Sequence, residues 1–90
     1  MSEDTDQQLL EFPCEFPIKA MGHADADFAE QVWSIVTRHA PETPTERLRT
    51  TPSRKGRFVS VTVTIEAQSR AQLDAIYQEL NDHERVLMTL

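Results

Sequence analysis

From Arg57 to Ile65 the chain alternates strictly, with Val59, Val61, Val63 and Ile65 separated by Ser60, Thr62 and Thr64. Successive side chains of an extended backbone project to opposite faces, so this stretch is a strand with one dry face and one wet face. Such a strand belongs to a sheet covered on one side only. Helix-like segments before and after it supply the cover, which points to two layers, one of sheet and one of helices.

The remaining segments fit that plan. Phe16, Ile18 and Ala20 alternate with Pro17, Lys19 and Met21, predicting a strand over Glu15 to Met21 that Gly22 ends. From Ala26 to His39 the spacing of Phe28, Val32, Ile35 and Val36 is helical, Asp25 or Asp27 is available as a cap, and Pro41 and Pro44 stop the helix near Ala40. Arg47 to Ser53 reads as an edge strand, because Pro52 cannot donate to a ladder and the charges spoil a buried pattern. The turn Ser53-Arg54-Lys55-Gly56 folds it back as a hairpin onto the alternating strand. A second helix opens at Ser69 with Gln72 placed for a capping box, and Leu73, Ile76, Tyr77 and Leu80 form its apolar stripe. Val86, Met88 and Leu90 then predict a last strand over Arg85 to Leu90. The order βαββαβ is an α+β, ferredoxin-like arrangement: a four-stranded antiparallel sheet with both helices on one face, the first and third strands central.

Ninety residues suffice for one domain with a single core. Nine Lys and Arg against 15 Asp and Glu give a net charge of -6, which opposes general adhesion to nucleic acid or anionic lipid. Cys14 is the single cysteine and has no partner for an intramolecular disulfide. The acidic start Met1 to Asp6 is unlike a secretory signal, and no apolar run approaches the ~20 residues of a membrane-spanning helix. The expectation is a cytosolic (cytoplasmic) protein: an acidic, frayed tail over residues 1–8 and one domain over 9–90. The segment Leu9 to Pro13 forms a short arm, serving either as satellite core packing or as an interaction arm.

Several motifs resemble, as a set, the YbeD family of small bacterial proteins: Leu9-Leu10-Glu11-Phe12-Pro13, Lys19-Ala20-Met21-Gly22, Arg38-His39-Ala40-Pro41, Pro52-Ser53-Arg54-Lys55-Gly56, Ser60-Val61-Thr62-Val63 and Ile76-Tyr77-Gln78-Glu79-Leu80. The resemblance spans nearly all of Leu9 to Leu90. It implies the same βαββαβ fold, similar in shape to ACT-type regulatory domains, and carries over no catalytic residue. Arg54 and Phe58 stand where the resemblance leads one to expect serine and tyrosine, which makes this hairpin more basic.

Charge is organised at one place. Arg47, Arg49, Arg54, Lys55 and Arg57 fall within eleven positions that contain no acid, whereas residues 1–46 are dominated by carboxylates. These cations are candidates for contact with an anion or an acidic partner surface; the alternative is a solvated guard on an edge strand. Gly22 and His23, at the junction of first strand and first helix, are a candidate ligand loop. His23, His39 and His83 fall on three different element ends, without metal spacing. Cys14 has no neighbouring base to activate it. The carboxylate pairs Asp25 with Asp27 and Asp82 with Glu84 lie at helix boundaries, where capping accounts for them.

RNA-recognition domains share this strand order, but of the outward residues on the two central strands only Phe58 could stack a base. The reading is therefore a non-catalytic, cofactor-free regulatory or adaptor module that contacts another protein, not nucleic acid or membrane. A free-standing small-metabolite sensor is the alternative. The apolar edge of Val86 to Leu90 leaves room for weak self-association.

Overall fold

The computed structural model describes residues 10–90; the residue 1–8 tail expected from the sequence lies outside them. Strand β1 spans Cys14–His23, helix α1 Phe28–His39, β2 Leu48–Pro52, β3 Phe58–Ala67, helix α2 Arg70–Asp82 and β4 Met88–Thr89, with a 3₁₀ turn at Thr45–Arg47 before β2. The sheet order is β2-β3-β1-β4 and every pairing is antiparallel. β1 and β3 lie together for ten residues in the centre, from Cys14 opposite Ala67 to His23 opposite Phe58.

The predicted sidedness is present. Val61, Val63 and Ile65 are buried with Ile18 and Ala20 of β1, against Phe28, Val32, Ile35 and Val36 of α1 and Leu73, Ile76 and Leu80 of α2. No buried polar or charged residue interrupts this core among the described residues. Phe12 of the arm packs against its rim, as do Cys14, Phe16, Trp33, Tyr77 and Val86. Tyr77 presents its ring edge-on to Phe16 at 6.4 Å and donates its hydroxyl to the Leu90 carbonyl; partial burial raises the phenol's pKa.

Four local expectations need correction. Gly22 does not end β1, which continues through His23. Neither aspartate caps α1 with its side chain: Asp27 occupies the cap position without a side-chain bond, and Asp25 and Asp27 both bind Arg85 instead. Asp82 is the last residue of α2, whose C-terminal end exposes carbonyls that a carboxylate cannot cap. The last strand is two residues long, because the chain turns at His83 to Val86 and Arg85 is drawn toward α1. Only Val86 packs on the core there; Met88 and Leu90 are 49% and 60% exposed.

Gln72 does more than the capping box requires. Ser69 Oγ accepts from the Gln72 amide, but Gln72 Oε1 accepts from the amide of Gln68, one residue before the cap, while Nε2 donates to the His39 carbonyl. One side chain thus closes the start of α2 and ties it to the end of α1. Glu79 adds a second tie between the helices, 2.6 Å from Arg38 and 2.8 Å from His39 Nε2.

Candidate functional site

Register decides what the uncovered face displays. Ile18 opposite Val63 points into the core, so the alternate residues point out. Across the sheet this gives one row of Arg49, Thr62 and Lys19, ending beside Leu90, and a neighbouring row of Thr51, Ser60, Met21 and Met88. A third row holds Phe58 and His23, whose rings lie 5.2 Å apart. Beyond it the turn Ser53 to Gly56 carries Arg54 and Lys55, with Gly56 at φ 75°, the left-handed conformation that glycine adopts at no steric cost.

The five predicted cations therefore divide. Arg47 lies at the opposite end of the sheet, bound to Glu15 at 2.9 Å. Arg49 is on the open face, and Arg54, Lys55 and Arg57 form the exposed hairpin tip. Sequence spacing missed that Lys19 joins them, because it is distant in the chain and meets Arg49 only through the register of three strands. Lys19, Arg49, Arg54, Lys55 and Arg57 have no acidic partner among the described residues. The acids nearest in chain to the hairpin contact are occupied: Ala24 donates to the Arg57 carbonyl, and the following Asp25 and Asp27 are held by Arg85 at 3.2 and 2.7 Å. The hydrogen bond from Arg85 lowers the Asp27 pKa, and Asp27 in turn raises that of Arg85.

Between the cations the surface is apolar. Met21, Pro52, Phe58 and Val59 line a dimple of about 120 Å³ with Thr51, Ser53 and Ser60. That is room for a side chain, well below the roughly 300 Å³ at which small-molecule sites begin.

Each side of the sheet has a proline at one outward-facing donor position. Ser53 donates to the Phe58 carbonyl, so in β2 the odd-numbered residues bond to β3 and Pro52 sits where an amide would point outward. On the other side, Leu90 and Leu87 donate to the carbonyls of Lys19 and Met21. The odd-numbered residues of β1 thus face β4, and Pro17 falls just beyond the point where β4 ends. Addition of a further strand is blocked at both positions.

The predicted ligand loop is filled. Gly22 is buried, and a Cβ built on it would lie 2.5 Å from the Phe28 ring and 2.6 Å from the Arg85 carbonyl oxygen. His23 is exposed, stacked beside Phe58. A cleft of about 630 Å³ occurs elsewhere, at the far end of the sheet, between the loop Pro41 to Pro44 and the ends of β1 and β3. Its rim sets the carboxylates of Glu15, Glu42 and Glu66 beside Arg47, with His39 also in the lining. His23, His39 and His83 are apart: His39 contacts Glu79, and His83 Nδ1 accepts from the Arg85 amide.

Fold and surface together define a small ferredoxin-like α+β module with one bare, unevenly charged sheet face. The family model for a protein of unknown function, DUF493, matches residues 7–90. The chain belongs to this family of small bacterial proteins, also called UPF0250, which is the YbeD family of the sequence resemblance. It is 46% identical over 86 residues to a UPF0250 protein of Nitrosomonas europaea, covering 96% of this chain and 99% of that one. A UPF0250 protein of Neisseria gonorrhoeae is 39% identical, covering 98% and 97%. The solution structure of protein HP0495 from H. pylori superposes with a TM-score of 0.67 at 15% identity, over 90% of this chain and 85% of that one. At that identity the likeness speaks for the fold alone.

Proposed function

We propose that this protein is a non-catalytic regulatory or adaptor module of the cytosol, acting by contact of its open sheet face with another protein. The observation that carries the reading is the bare face itself. Five cations that have no acidic partner among the described residues flank an apolar dimple, on a chain whose net charge is -6. Sheet faces that merely meet water do not need segregated charge or half-exposed Met and Phe side chains, whereas docking surfaces combine apolar anchors with complementary charge. No helix among the described residues is long and apolar enough to cross a membrane.

The test is chemical cross-linking in the native cell through a photoreactive residue placed at Ser60, with a matched residue on the helical side at Gln78 as control. A protein adduct specific to Ser60, competed by unlabelled protein, supports the proposal. Adducts equal at both positions count against it.

The small-metabolite sensor remains the second reading, and the cleft beside Arg47 now favours a different place for it than the Gly22 loop. Its volume is within the range of ligand sites, and its mixed charges suit a small polar molecule. Thermal-shift screening of polar metabolites against wild type and Arg47→Ala distinguishes it from protein docking.

A further inference from the structure

We infer that the partner presents an acidic segment with one large apolar anchor, laid across the sheet face rather than added to an edge. The inference rests on the protein-docking reading above and specifies its chemistry.

Three observations converge. First, the cations bracket the apolar patch. Arg49 and Lys19 stand on one side of the dimple, about 10 Å apart at their Cα positions because two strand spacings separate β2 from β1. The hairpin tip with Arg54, Lys55 and Arg57 stands on the other, past the Phe58 row, which lies roughly 14 Å along the strands from the Arg49 row. A complementary segment therefore carries acids on both sides of its apolar residue, with the anchor seated against Met21, Pro52 and Phe58. Second, acids are missing from this part of the face. The outward side chains from Pro17 and Thr64 to His23 and Phe58 include no carboxylate, and Glu15 and Glu66 lie together at the far end. Third, the geometry disfavours strand addition. Pro52 withholds an outward donor from the β2 edge and Pro17 withholds one where β1 runs past the end of β4, so a partner meets side chains more readily than a backbone ladder.

Nucleic acid is the other polyanion that such cations attract. It fits the face less well: the aromatic rings on the two central strands, His23 and Phe58, form a single pair 5.2 Å apart at one end of the face, and Lys19 and Met21 occupy the other outward β1 positions beside the dimple.

The probe is a capped heptapeptide with a single central Leu flanked on each side by three Glu or Asp residues, titrated to about millimolar concentration. Backbone amide shifts of the labelled full chain report the site. Three comparisons accompany it: the same peptide with Lys in place of the acids, the acidic peptide with Ser in place of Leu, and an oligouridylate of equal charge. The expected result is saturable shifts at Lys19, Met21, Phe58 and Thr62, weakened about tenfold in Lys19→Glu/Arg49→Glu, whose exposed positions leave the core untouched. Both peptide controls then bind more weakly, as does the oligouridylate. Absence of shifts on the face, equal binding of the basic peptide, or stronger binding of the oligouridylate overturns the inference. If the Ser60 cross-link to a native protein forms while the acidic peptide fails, the partner's chemistry is wrong and the docking module stands. If the cross-link also fails, both fall.

Discussion

Gly22 shows how a residue that reads as a turn can be a packing device. The Phe28 ring and the Arg85 carbonyl close over its Cα, so any side chain there must displace the first residue of α1 or the turn that precedes β4. Gly22→Ala should destabilise the protein by roughly 1–3 kcal/mol, as overpacking does in a well-filled core; denaturant unfolding measures it, and an unchanged midpoint contradicts the packing. Arg85 acts at the same junction. Because its hydrogen bond holds the Asp27 carboxyl below the usual carboxylate range, the pair contributes stability that is fully present above the unfolded pKa of about 4 and lost as pH falls through the lower folded value. Thermal unfolding between neutral pH and pH 3 should therefore fall more steeply for wild type than for Arg85→Gln. The acids were visible in the sequence, but their partner was not, since Arg85 is some sixty residues away and only the fold brings it to them.

At the scale of elements, the long alternating strands and the apolar helix stripes were legible because periods of 2 and 3.6 residues are local signals. The cap at Ser69 was legible for the same reason. Ser69→Ala removes the acceptor for the Gln72 amide and should cost about 1 kcal/mol, read as a lowered unfolding midpoint. The exact end of β1 and the brevity of β4 were not legible. β4 has the alternation of a buried strand in Val86, Met88 and Leu90, yet the turn at His83 and the pull of Arg85 leave it only two residues of ladder. Pro17 and Pro52 illustrate the intermediate case. Their identity was plain, while the side of the strand from which each withholds a donor follows only from register.

For the molecule as a whole, the sheet has two unlike sides and each tolerates different chemistry. Val61→Thr places a hydroxyl in the sealed core and should cost roughly 1–3 kcal/mol. Thr62→Val, one residue away and pointing out, should stay within about 0.5 kcal/mol of wild type. Equal losses at both positions contradict the sidedness. The basic hairpin was legible as a cluster, but the candidate surface was not. Arg47 leaves it for Glu15, and Lys19 enters it from the other central strand; neither exchange has a signature in a linear count of charge. Likewise the ligand loop looked open in sequence because nothing local tells that Phe28 folds back over Gly22.

The claim on which the functional account depends is that binding occurs on the bare side of the sheet. Hydrogen exchange of the complex with the protein captured at Ser60 measures this directly. Slowed exchange over residues 58–62 and 19–21 and at the hairpin, with helices α1 and α2 unchanged, is the predicted pattern. Protection confined to the helices, with the open face exchanging as in the free protein, contradicts it.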